Sequence, residues 1–168
     1  MSNIPETLAI RRMTADDIGW AMRLAEGSPQ APHWSEPAWL SAVNPGSEPK
    51  RIALAAETPR DVPHLGRIAP KVGLAVASLA PPEAELEAIV VAPALRRQGL
   101  GAELLRAMAA ELETAGVAEV TLEVRASNRP ALAFYRSMGY AEWGRRTGYY
   151  IDPVEDAVLM RVRLGGSR

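Results

Sequence analysis

Apolar and polar positions recur with two different periods along this chain, and the changes of period divide it into elements. Residues 117–125 repeat every second position: Val120, Leu122 and Val124 face one way, and Thr121, Glu123 and Arg125 the other, as in a half-buried strand. Just before it, Leu100, Leu104, Leu105, Met108 and Leu112 recur at helical spacing over 99–115, and Gly116 supplies a stop. Ser127-Asn128-Arg129-Pro130 opens a short helix, with Asn128 as a candidate cap, and Gly139 closes it. Two closing strands are expected over 140–149 and 157–164.

The first half carries weaker signals. Leu8-Ala-Ile-Arg-Arg-Met13 alternates briefly and meets Thr14-Ala-Asp-Asp17, a strand followed by a helix start that Thr14 or Asp16 can cap. Residues 27–46 contain Pro29, Pro32, Pro37 and Pro45 and read as irregular, with one short helix after Ser35. Residues 51–57 are expected to form a strand, and 58–70, with Pro59, Pro63, Gly66 and Pro70, a surface loop. The apolar runs 71–79 and 84–92, split by Pro81-Pro82, favour an antiparallel hairpin. This order of elements predicts an α/β fold, a mixed sheet with a crossover in its second half.

At 168 residues the chain fits a single domain, 1–168, large enough to bury a core. Apolar residues are 48% and charged residues 23%, as in ordinary globular proteins. A formal net charge of −1 suggests no binding to long nucleic acid. The absence of Cys removes disulfides, thiolate zinc sites and a cysteine nucleophile, and no metal is expected. With no membrane-length apolar run and no leader-like start, a cytoplasmic setting is expected.

The sharpest chemical signal runs from Ile89-Val90-Val91 through Ala92-Pro93 into Arg96-Arg97-Gln98-Gly99-Leu100-Gly101-Ala102 and directly into the amphipathic helix. A strand, a glycine-bearing loop and a helix start together make an anion site. The first N–H groups of a helix lack internal partners, and that end is partly positive. Gly99 and Gly101 admit a ligand close to the backbone, and Arg96 and Arg97 add charge. Taken alone, the segment also fits an exposed helix start. It lacks both G-x-G-x-x-G and the P-loop Gly-Lys-Ser/Thr.

R-x-x-G-x-G after Leu86-Glu-Ala-Ile-Val-Val-Ala-Pro93 resembles the acetyl-CoA signature of the GNAT N-acetyltransferases. That resemblance implies a mostly antiparallel mixed sheet with a central parallel pair and flanking helices. It implies that the backbone of Ile89, Val90 and Val91 pairs with the pantetheine arm, and that the loop N–H groups of 96–102 hold the pyrophosphate. Leu122-Glu-Val-Arg-Ala-Ser-Asn-Arg-Pro-Ala-Leu-Ala-Phe-Tyr-Arg-Ser-Met-Gly-Tyr140 resembles the bacterial alanine acetyltransferases that modify the N-terminus of a small-subunit ribosomal protein. Trp34-Ser35-Glu36 and Tyr149-Tyr150 with Glu155-Asp156-Ala157 are similar to further elements of that subfamily, although His33 stands where the subfamily has proline.

By this resemblance Glu123 is the proton acceptor, Tyr135 the proton donor to the coenzyme thiolate, and Asn128 a coenzyme contact. Each has a plainer reading beside it: a solvated strand glutamate, a core tyrosine in step with Leu132 and Met138, and a helix cap. An amine must be neutral to attack. An α-amino group, with a pKa of about 7.7–8.0, is easier to deprotonate than lysine at about 10.4. The same resemblance implies an acceptor between the early helical segment and the last hairpin, near Trp34, Glu36, Tyr149, Tyr150, Glu155 and Asp156. Three functions follow: acetylation of a ribosomal-protein N-terminus, acetylation of a small-molecule amine, or non-catalytic acyl-CoA binding.

Overall fold

The structure is a computed structural model that describes residues 8–58 and 71–165. The loop expected at 58–70 lies, from residue 59 onward, outside the described residues. Among the described residues, seven strands form one sheet in the order β1-β2-β3-β4-β5-β7-β6. They are β1 (Ala9–Arg12), β2 (Lys50–Glu57), β3 (Lys71–Ala80), β4 (Glu83–Val91), β5 (Glu119–Arg125), β6 (Ala141–Ile151) and β7 (Val154–Arg163). The helices are α1 (Ile18–Glu26), α2 (Glu36–Val43), α3 (Leu100–Thr114) and α4 (Arg129–Ser137). All strand pairs are antiparallel except β4 with β5. This is the mixed sheet with a central parallel pair and flanking helices that the sequence pointed to, and α3 is the crossover. None of the described helices is long and apolar enough to cross a membrane.

The apolar stripe of α3 explains its place. Leu104, Met108 and Leu112 are essentially fully buried, each worth about 1.5–3 kcal/mol over exposure. They share a core with Leu132 and Tyr135 of α4 and with Val120, Leu122 and Val124 of β5. The other face of the sheet packs Ala53, Leu74, Val76 and Val90 against Ile18, Ala21, Trp39 and Ala42 of α1 and α2. Gly73 lets α3 close onto β3: a Cβ there would stand 2.9 Å from Leu104 Cδ1 and 3.1 Å from the Val90 carbonyl.

Strand β4 changes face midway. Its ladder with β3 runs Val76↔Ala88 and then Ala77↔Leu86, so Glu87 is an extra residue. Ala84 and Leu86 therefore belong to the α3–α4 core, while Ala88 and Val90 belong to the α1–α2 core. Such a bulge bends a strand and increases its twist. Pairing of β4 with β5 covers only Glu83↔Glu119, Ala84↔Val120 and Glu85↔Thr121, beyond which the two strands part.

The opening strand and helix are tied by Asp17. Its carboxylate accepts from Arg11 Nη1 at 2.8 Å and Nη2 at 2.9 Å and from the Thr14 N–H at 2.8 Å, and it pairs with Lys71 Nζ at 2.9 Å. These contacts hold the buried carboxyl far below the usual aspartate range, with the Arg11 bond as the largest cause and burial opposing it.

Candidate active site

A cleft of about 1110 Å³ occupies the gap between β4 and β5. Ile89 and Val91 form one wall, Glu123 and Arg125 the other, and Arg97, Gly99, Gly101 and Ala102 one end. Glu123, Asn128 and Tyr135 all line it. Val90, Gln98 and Leu100 do not: Val90 lies under α1–α2 and lines a smaller adjoining pocket of about 170 Å³. Leu100 is buried in the α3–α4 core, and Gln98 Nε2 donates to the Ala94 carbonyl at 3.3 Å.

The loop before α3 has the shape an anion site needs. Gly99 is the N-cap at φ 90°, ψ 0°, and Arg97 has φ 60°. The first helical bond runs from Glu103 N to Gly99 O at 3.1 Å, which leaves the preceding first-turn N–H groups without intrahelical partners. Gly101 does more than leave room for a ligand, since a Cβ there would stand 3.4 Å from Phe134. Arg96 also lines this end of the cleft, and its side chain is held there by two contacts. Its Nε donates to the Val91 carbonyl at 3.1 Å and its Nη2 to the buried Ser28 hydroxyl at 3.0 Å, so it straps β4 to the end of α1. Arg97 makes no ion pair or side-chain hydrogen bond among the described residues. A phosphate-bearing group fits this donor set of Arg97 and the unpartnered N–H groups at the start of α3.

Asn128 serves as a cap: its Oδ1 accepts from the Ala131 N–H at 3.3 Å. That uses only the carbonyl end of the amide and leaves Nδ2 for the cleft. Tyr135 is 8% exposed, with its ring against Phe134 at 5.2 Å and Tyr140 at 5.6 Å. Its hydroxyl forms no hydrogen bond among the described residues. Burial pushes the phenol well above the usual tyrosine range, and Tyr140 adds to this, so it holds its proton at neutral pH.

Leu122 and Val124 point into the α3–α4 core, so Glu123 between them lies on the opposite face of β5. Its Oε1 is 3.2 Å from Arg146 Nε. Arg146 also lies over the Tyr149 ring at 5.6 Å, and Arg125 over Tyr150 at 4.1 Å. The Glu123 carboxylate, by hydrogen bonding and by its charge, raises the Tyr149 phenol; burial and then Glu123 raise Tyr150.

Of the expected acceptor residues, Trp34, Tyr149 and Tyr150 line the cleft, and Glu36, Glu155 and Asp156 do not. Glu155 accepts from the Ser127 N–H at 2.5 Å and pairs with Arg125 at 3.4 Å, while Asp156 accepts from the Gly148 N–H at 2.9 Å. Glu155 thus holds the loop between β5 and α4, and Asp156 the irregular stretch of β6 at Gly148. Sequence reasoning missed Glu85, Phe134 and Arg146, for which no local pattern in the chain stands out.

A fold of this topology, opened between two parallel strands beside a glycine-bearing helix start, defines a class. The acetyltransferase (GNAT) family model matches residues 30–140, and the chain belongs to that family. Among its relatives, the ribosomal protein bS18-alanine N-acetyltransferase of Escherichia coli K12 is 50% identical over 80 residues, covering 46% of this chain and 54% of that protein. An N-alpha-acetyltransferase of Mycobacterium tuberculosis is 43% identical over 81 residues, covering 48% and 49%. The match thus spans about half the length of these curated relatives. The crystal structure of the Escherichia coli ribosomal-protein-S18-alanine N-acetyltransferase superposes with a TM-score of 0.78 at 30% identity, over 96% of this chain and 97% of that one. Arabidopsis thaliana NAA60, solved in complex with acetyl-CoA, shares the fold with a TM-score of 0.81 at 18% identity, over 95% and 100%.

Proposed function

We propose that this protein transfers the acetyl group of acetyl-CoA to a primary amine, and that its acceptor is the N-terminal alanine of a ribosomal protein in the cytoplasm. The observation that carries this reading is the gap between β4 and β5, with a helix start at one end and Glu123 and Tyr135 along it. Acetyl-CoA supplies an activated acetyl group as a thioester. Arg97 and the backbone of 99–102 bind its phosphates, and the edge of Ile89–Val91 aligns its arm. Glu123 takes the proton that the acceptor amine must lose, and Tyr135 Oη holds a proton for the departing sulfur. The Escherichia coli relative, named as a ribosomal protein bS18-alanine N-acetyltransferase, supports the choice of substrate.

The test is radiolabelled acetyl-CoA offered with a panel of N-terminal peptides and small amines. Label on alanine-starting peptides is the expected result. Label on small amines alone would replace the acceptor, and coenzyme binding without transfer to any amine would contradict the enzyme reading.

A further inference from the structure

The glutamates around the gap are unequally partnered. Glu87 pairs with Arg51 at 2.6 Å, Glu123 with Arg146 at 3.2 Å, and Glu119 with Arg161 and Arg163 at 3.8 Å. Glu85 makes neither an ion pair nor a side-chain hydrogen bond among the described residues. It stands on the last rung, Glu85↔Thr121, before the strands part. Ala84 and Leu86 point into the α3–α4 core, as do Leu122 and Val124, so Glu85 and Glu123 share the opposite face. Both line the cleft beside Tyr149 and Tyr150.

Glu85 is exposed to the cleft, and partial desolvation, then the charges of Glu123 and Glu87, push its carboxyl up while Arg146 opposes them. Two carboxylates facing one cleft repel each other, and a cation between them would offset that repulsion. Arg146 already brings one cation to Glu123, over the ring of Tyr149. A neutral group placed there would leave Glu85 desolvated without compensation.

We infer that Glu85 is an acceptor-selecting residue: with Glu123 it receives the acceptor's ammonium group where β4 and β5 part. The inference rests on the acetyl-transfer reading and adds a specificity role to a residue outside the acid–base pair.

Calorimetry with coenzyme A, which carries no acetyl group to transfer, tests it. Two peptides are compared that differ only in a free or an acetylated N-terminal alanine, at about pH 6.5, where an α-amine of pKa about 7.7–8.0 is charged. In the wild type the free-amine peptide should bind at least roughly tenfold more tightly. In Glu85→Gln that preference should fall below about threefold, with coenzyme A affinity unchanged, and Glu85→Asp should keep most of it. An undiminished preference in Glu85→Gln overturns the inference alone. Binding of neither peptide by the wild type overturns it together with the proposed peptide acceptor.

Discussion

Glu123 on β5 and Tyr135 on α4 lie on opposite sides of the sheet, yet both line one cleft because β4 and β5 stop pairing after Glu85↔Thr121. A closed ladder would have separated them. The bulge at Glu87 accompanies the opening and lets Ile89 and Val91 line it.

Replacing Tyr135 with Phe removes only the hydroxyl, since the ring packs against Phe134 and Tyr140. Turnover should fall about 10²-fold or more, with coenzyme affinity nearly unchanged. Steady-state kinetics and calorimetry check this, and wild-type turnover in Tyr135→Phe would remove it from the mechanism.

Glu123→Gln should slow transfer most at low pH. Below about 7.7 an N-terminal amine is mostly charged and needs a base. The ratio of wild-type to variant rate should therefore rise as pH falls. A ratio that stays flat across the profile would count against Glu123 as the proton acceptor.

At Gly99 the backbone has φ 90°, a region that costs a side-chain-bearing residue about 1–2 kcal/mol. Gly99→Ala should distort the helix start and weaken coenzyme binding by roughly tenfold or more. Unchanged affinity would show that this loop does not hold the coenzyme.

Asp17 contributes to stability rather than chemistry. Asp17→Asn should cost about 3 kcal/mol, because Arg11 and Lys71 lose a buried partner. The folded-state pKa is lowered, so the stabilisation is fully present above the unfolded value of about 3.9 and is lost as pH falls from there through the folded value. Chemical denaturation of wild type and variant across acid pH measures the difference, which should shrink toward low pH.

The periodic elements were legible in the sequence. The stripe of α3, the alternation of β5 and the Asn128 cap all appear where their patterns place them, because each reflects local burial or a local hydrogen bond. The splitting of β4 from β5 was not legible. Its sequence trace is only the change from alternation at Ala84-Glu-Leu-Glu to the unbroken apolar run Ala88-Ile-Val-Val, which reads as an ordinary buried strand. The strap formed by Arg96 and the Arg146–Glu123 pair depend on contacts between distant segments. Neither could be read from spacing. Glu155 and Asp156, expected near the acceptor, bind the backbone N–H groups of Ser127, in the loop before α4, and of Gly148, in β6.

Joint action of Glu123 and Tyr135 across the gap is tested most directly by single-turnover acetylation of an alanine-starting peptide. The protein to use is the Glu123→Gln/Tyr135→Phe double variant, with coenzyme affinity measured alongside. Coenzyme binding should stay near the wild-type value while acetyl transfer falls by at least about 10³-fold. Transfer at close to the wild-type rate, with the coenzyme bound, would contradict the account.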